Sequence, residues 1–123
     1  MEEYYEELVK AIVFQAIEDY ISSVKEYYSI KEQVKELRSK NERVISMSLE
    51  EYRQYRKKVR NAEDNKLRTD VRTLENSLQN KKIMIEDCIR FFCGDWIVRI
   101  ADVDGRIILD GINENLKKEG YEV

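Results

Sequence analysis

The segment from Tyr52 to Arg60, YRQYRKKVR, holds the side chains whose types and spacing best suit a chemical task. On a helix its cations recur every three or four residues and share one face. These are Arg53, Arg56, Lys57 and Arg60, and an earlier basic group adds Lys35, Arg38, Lys40 and Arg43. Such a row suits a phosphate backbone or an acidic protein groove. We therefore predict a partner-binding surface here; the alternative is an ordinary solvated coiled-coil face, which is often rich in lysine and arginine.

Catalysis is not expected from this sequence. The chain has no histidine, and paired acids such as Glu86 and Asp87 diverge by about 100° around a helix, so they cannot share a substrate. Cys88 and Cys93 lie five residues apart on one predicted helix and point in different directions. Two thiolates without a histidine also fall short of a zinc site. We interpret both cysteines as small buried apolar side chains in a reducing cytosol.

The tetrapeptide DVDG, residues 102–105, resembles a calcium loop only superficially. An EF-hand loop needs oxygen ligands two residues apart, and Ile100 stands where the preceding ligand should be. Helix caps explain these aspartates better, with Asp95 and Asp104 at the expected N-cap positions. The prediction is therefore a protein without a metal or a cofactor.

Charge is distributed unevenly along the 123 residues. The net charge is −3, but residues 1–34 carry −5, residues 35–60 carry +5 and residues 61–123 carry −3. The total is too small for an acidic DNA mimic and too negative for a general nucleic-acid coat. No apolar run approaches the roughly 18 residues that span a bilayer, and the N-terminus MEEYYEE is acidic. These features predict a cytoplasmic protein with no membrane contact.

The absence of proline and the presence of only four glycines predict an all-α fold. Apolar residues recur every three or four positions from Val9 to Leu37, and a heptad register continues to Val44 with Asn41 as a polar seam residue. Ser48 and Glu51 then form a capping box that starts a second helix. Because the connection is short, the two helices should form an antiparallel hairpin.

The second helix is predicted to reach Phe92. Its apolar phase changes between Asn61 and Asn65, and we favour one continuous helix about 65 Å long over a short loop. After Gly94 we expect a short helix near Trp96 and a last helix that stops at Gly120. The predicted fold is a single domain, with a coiled-coil stalk over 29–66 and a small bundle head formed by 1–28 with 67–123. Residues expected to close the head are Trp96, Ile97, Ile100, Val103, Ile107, Ile108 and Ile112.

Three segments carry a resemblance to known proteins: AIVFQAIEDY at 11–20, IRFFCGDW at 89–96 and DVDG at 102–105. In these the chain resembles small uncharacterised helical proteins of Gram-positive prophages and mobile elements. The resemblance implies a setting among phage accessory genes, where inhibitors of host defence such as anti-CRISPR proteins are common.

These observations support three hypotheses. The first is a non-enzymatic phage accessory protein that binds stoichiometrically to a host protein or nucleoprotein complex and inhibits host defence by blocking a CRISPR nuclease. The chain has eight tyrosines, and those that are exposed would add apolar anchors to the interface. The second is a regulator that binds nucleic acid through the basic stalk. The third is a structural coiled-coil protein that self-associates, with a homodimer as its simplest form.

Overall fold

A computed structural model describes residues 2–58 and 62–123. Helices cover 87% of these residues and none of them lies in a strand, so the predicted all-α class is confirmed. In chain order the helices are α1 (Glu2–Lys40), α2 (Glu42–Ile45), α3 (Leu49–Lys58), α4 (Ala62–Cys93), α5 (Asp95–Arg99) and α6 (Gly105–Lys118).

Side-chain caps set several of these helix boundaries. The Ser48 hydroxyl accepts the backbone N–H of Glu51 at 3.2 Å, which confirms the predicted start of α3. The Asn41 side chain accepts the N–H of Val44 at 3.3 Å and caps α2. Asn41 is therefore a helix cap and not a seam residue within one long helix, because α1 ends one residue earlier.

The prediction of one continuous helix from Ser48 to Phe92 is wrong. The Tyr55 hydroxyl donates to Asp64 Oδ2 at 3.0 Å, whereas nine residues along a straight helix span about 13 Å. The Arg68 guanidinium also lies 4.3 Å from the ring centroid of Tyr52. These two pairs make α3 and α4 antiparallel neighbours. Residues 59–61, which include part of the predicted phase change, lie outside the described residues.

The chain divides into two compact units. The first unit is Met1–Tyr28 with Asn80–Val123, and the second unit is Ser29–Gln79. In the first unit α1 and α4 are antiparallel, because Tyr20 packs its ring edge-on to Phe92 while Glu26 pairs with Lys81. The division into head and stalk predicted from the sequence stays a prediction.

The core of the first unit combines side chains from α1, α4, α5 and α6. Its buried members are Tyr20, Val24, Phe92, Ile97, Leu109 and Leu116. The Tyr20 hydroxyl donates to Asn113 on α6, and burial raises the pKa of this phenol, so it stays a donor. The core is thus mostly apolar, and its one buried phenol is satisfied, whereas the buried Ser23 hydroxyl has no hydrogen-bond partner among the described residues.

The prediction of which residues close this unit is wrong in part. Ile97 is fully buried, and Ile108 and Ile112 pack against the core. The other four predicted members are exposed instead: Trp96, Ile100, Val103 and Ile107. For Ile107 the reason is the register of α6, which turns the row from Gly105 through Leu109 to Leu116 inward. Trp96 lies on α5 beside the buried Ile97, and Ile100 and Val103 lie after α5 in the connection to α6.

The start of α6 touches the end of α4. Asp104 caps α6 as predicted, because its Oδ1 accepts the N–H of Arg106 at 3.0 Å. Asp95, by contrast, lies in the first turn of α5, and Gly94 holds the N-cap position. A Cβ on Gly105 would lie 1.9 Å from the carbonyl oxygen of Phe92. Only glycine permits this approach of the two backbones.

We predict that Gly105→Ala destabilises the protein by about 3 kcal/mol, because α6 must move away from Phe92 and Ile97. Urea unfolding followed by far-UV circular dichroism measures this. Gly111→Ala is the matched control: it lies within the same helix, and an added Cβ meets nothing within 4 Å. The control should gain about 0.5–1 kcal/mol from helix propensity. Equal effects at both positions would contradict the proposed contact.

Candidate functional site

Arg68 connects the helices of the second unit. Its Nη1 donates to the carbonyl oxygens of Val44 at 2.6 Å and Met47 at 2.9 Å. These carbonyls lie at and just beyond the end of α2, where helix carbonyls lack partners within the helix. The same guanidinium stacks on the ring of Tyr52, which is buried. One side chain of α4 therefore positions α2 and α3.

A second polar link holds the same helices together through a buried carboxylate. Asp64 is buried and accepts hydrogen bonds from the Tyr55 hydroxyl at 3.0 Å and from Asn41 Nδ2 at 3.4 Å. The hydrogen bond to Asp64 raises the pKa of Tyr55, while Arg43 acts in the opposite direction. Tyr55 also stacks on Tyr52, with 6.2 Å between ring centroids. These contacts turn both tyrosines toward α4, so Arg53 between them and Arg56 after them face outward.

The outward side chains of α3 meet those of α4 at a groove of about 210 Å³. We call it the arginine groove. It is lined by Leu49, Tyr52, Arg53, Arg56, Asn65, Arg68, Thr69 and Arg72. Four of these eight residues are arginines and none is acidic. Such a lining favours an anion, because clustered guanidinium groups repel one another until negative charge is bound.

A wider depression of about 1040 Å³ adjoins the arginine groove and shares Arg53, Arg56 and Asn65 with it. Lys57 adds a cation there, and Glu50 is the one acid among its lining residues. Within residues 2–58 and 62–123, no ion pair links Arg53, Arg56 or Arg72 to a carboxylate. The two depressions therefore share a basic surface in which Arg53, Arg56 and Arg72 are not ion-paired, with Glu50 as an acid at the wider depression.

The sequence-predicted cations do not all belong to this surface. Arg53, Arg56 and Lys57 line it together. Arg38 instead pairs with Glu42 at 3.2 Å and with Glu75, and the hydrogen bond to Glu75 raises the pKa of Arg38. Arg38 is thus an ion-paired link between α1 and α4, and its predicted part in partner binding stays a prediction.

The other predicted cations have separate outcomes. Lys35 lies in a different shallow depression, together with Glu32 and Glu36. Lys40 and Arg43 are exposed but do not line the arginine groove. Arg60 lies outside the described residues. Their predicted part in partner binding stays a prediction.

Sequence reasoning missed Arg68, Arg72, Asn65 and Thr69. Their spacing of three and four residues was available as a signal for one helix face. The prediction of one continuous helix hid this signal, because that prediction placed α4 end to end with α3. Only the antiparallel packing of these helices brings the two arginine pairs to one groove.

The cysteines fit the prediction in part. Cys88 is half-buried beside the core of the first unit, and burial raises the pKa of its thiol. Cys93 is exposed, so the interpretation as a buried side chain is wrong for it. The described residues contain no group of three potential metal ligands. None of the described helices combines the length and the apolar character that a bilayer-spanning segment needs.

Comparison of the chain with protein-family models, with curated proteins and with solved structures gives no match. The resemblance to prophage proteins therefore stays a prediction.

We predict that Arg68→Met destabilises the protein by about 2 kcal/mol, because two carbonyls lose a charged donor and Tyr52 loses its stacking partner. The free energy of unfolding from urea titration measures this. Arg72→Met is the control, since Arg72 is exposed on the same helix and should change stability by less than about 0.5 kcal/mol. If both variants were equally stable, Arg68 would not hold the unit together.

Proposed function

We propose that this protein acts by stoichiometric binding, without catalysis, and that the arginine groove binds the phosphate backbone of a nucleic acid within a nucleoprotein complex. The acid-free lining of the groove supports this most directly, since four arginines from two helices converge there. A planar guanidinium donates two parallel hydrogen bonds to a phosphate. Asn65 adds an amide of the kind that contacts phosphate oxygens, whereas the Thr69 hydroxyl donates to the Asn65 carbonyl at 2.9 Å.

The state of the arginines also supports phosphate binding. Arg68 is already held by two carbonyls and by Tyr52, so this one side chain loses little freedom when an anion enters. Arg53, Arg56 and Arg72 have no carboxylate partner among the described residues that would have to be displaced. Each phosphate neutralised by these side chains releases condensed counterions, which favours association.

The resemblance to prophage proteins supplies the setting of the proposal. In the cytoplasm of a bacterial host, the target would be a nucleic-acid-containing defence complex such as a CRISPR nuclease, which the protein would inhibit. An antiparallel coiled-coil pairing with a small head belongs to the same proposal, with α1 paired to α4 and with α2 and α3 in place of the short connection. It is supported within each unit by contacts between α1 and α4, through Tyr20 with Phe92 and through Arg38 with Glu75.

A second candidate is a regulator that binds bare duplex DNA through the same groove. The acid-free lining favours it equally, since guanidinium groups bind phosphates whether or not protein surrounds the nucleic acid. The two candidates differ in what they require beyond phosphate. A regulator should bind free duplex tightly, whereas an inhibitor should need the complete complex.

Fluorescence anisotropy with a labelled duplex DNA and an RNA of the same sequence tests the groove. We expect binding that weakens as salt rises, with Arg53→Gln/Arg56→Gln lowering affinity about tenfold and reducing the salt slope by about 2. The control Lys117→Gln/Lys118→Gln removes two exposed cations from α6 and should change affinity less than twofold. If both double variants lost affinity equally, the effect would come from net charge alone, which would contradict binding in the arginine groove.

The proposed target is tested by capture from the lysate of a Gram-positive host, with and without nuclease treatment. We expect one defence complex to be recovered by the unmodified protein and by the Lys117→Gln/Lys118→Gln control, but not by Arg53→Gln/Arg56→Gln. Recovery of nucleic acid alone would favour the regulator. Light scattering of the purified protein reports the self-association that a structural role requires.

A further inference from the structure

Exposed apolar side chains are concentrated in the first unit. Fifteen large apolar residues are exposed in the described part of the chain, and fourteen of them belong to this unit; Leu49 is the exception. Scattered apolar residues are normal on a protein surface, but a contiguous group marks an interaction site. The distribution therefore indicates an interaction surface on the first unit.

A groove of about 560 Å³ lies between the first turns of α1 and the connection from α5 to α6. We call it the apolar groove. Its lining residues are Tyr5, Glu6, Val9, Lys10, Ile100, Ala101 and Asp102. Tyr5 is 51% exposed and Ile100 is 41% exposed, so neither is covered by the rest of its unit. None of the lining residues belongs to the arginine groove.

Helix α1 extends this surface beyond the groove. Tyr4, Leu8 and Ile12 recur every four residues and are all exposed. At 100° per residue Tyr4 and Leu8 lie about 160° and 120° around the helix from Tyr20, which faces the core, and Ile12 lies about 80° from it. Helix α1 therefore has a second apolar row that its own unit does not cover.

The charges around the apolar groove identify the occupant. Glu6 and Asp102 line it, and the one cation, Lys10, lies 3.9 Å from Glu7 Oε1. The first unit as a whole holds 16 acidic residues against nine basic ones. Two such surfaces would repel each other, which disfavours a symmetric dimer through this face. A basic segment would be attracted.

We propose that the apolar groove binds a basic amphipathic helix of a partner protein. The partner's apolar face would contact Tyr5, Val9 and Ile100, and its lysine or arginine side chains would pair with Glu6 and Asp102. A helix laid into a groove through anchors at successive turns is an established mode of recognition. This interaction is independent of phosphate binding and would give the protein a second, separate partner.

The experiment uses fluorescence anisotropy with a labelled peptide of about 14 residues that has leucines on one helical face and lysines on the other. We expect binding to the full-length protein at micromolar concentration. Two matched peptides, one with glutamate for lysine and one with serine for leucine, should bind at least about tenfold more weakly. Equal binding of the glutamate peptide would overturn the assignment to a basic partner.

Protein variants localise the binding. Ile100→Lys and Glu6→Lys should each weaken peptide affinity about tenfold, because they place a cation in the groove. The controls Ile107→Lys and Glu114→Lys make the same exchanges at exposed positions outside the groove and should stay within about twofold. Equal weakening by the controls would overturn the site.

Two further readouts separate this proposal from its alternatives. Arg53→Gln/Arg56→Gln should leave peptide binding unchanged, so loss of nucleic-acid binding and loss of peptide binding are distinguishable. Light scattering of the unmodified protein should detect no oligomer that is lost in the Ile100→Lys variant. Such an oligomer would assign the apolar groove to a second copy of this chain and would overturn the proposed basic partner.

Discussion

The stacking and hydrogen bonding of Arg68 are the interactions on which the candidate site depends. Its guanidinium joins α4 to the end of α2 through two carbonyls and to α3 through Tyr52. This arrangement stabilises a unit with few buried apolar residues, since charged hydrogen bonds are stronger than neutral ones. The same geometry decides which way α3 faces. With Tyr52 and Tyr55 turned toward α4, Arg53 and Arg56 must face outward beside Arg72.

The two units divide the surface chemistry of the chain between them. Residues 29–79 hold 13 lysines and arginines against nine acidic residues, together with the arginine groove. The first unit is acidic and carries almost all of the exposed apolar side chains. A net charge of −3 conceals this contrast. A basic groove suits a polyanion and an acidic apolar groove suits a basic helix, so each unit can have its own partner.

Local signals in the sequence predicted elements that depend on local physics. The absence of proline predicted helices, Ser48 predicted the start of α3, and Asp104 predicted the start of α6. Errors arose where the outcome depends on distant contacts. Asn41 has the spacing of a seam residue, but Val44 and Asp64 give its side chain partners as a cap. Ile107 has the character of a core residue, yet the close approach of Gly105 to Phe92 sets a register of α6 that leaves it exposed.

By itself the sequence determined the all-α class, the starts of α3 and α6 and the basic character of the segment from Arg53 to Lys57. Helix propensity, capping and charge are properties of residues close together in the chain, so they can be read without a fold. Only the tertiary structure decided that α3 reverses against α4, and hence that Arg68 and Arg72 complete an acid-free groove. It also decided that Arg38 is neutralised by Glu75. These outcomes join residues that are far apart in sequence, because burial and ion pairing depend on position in space.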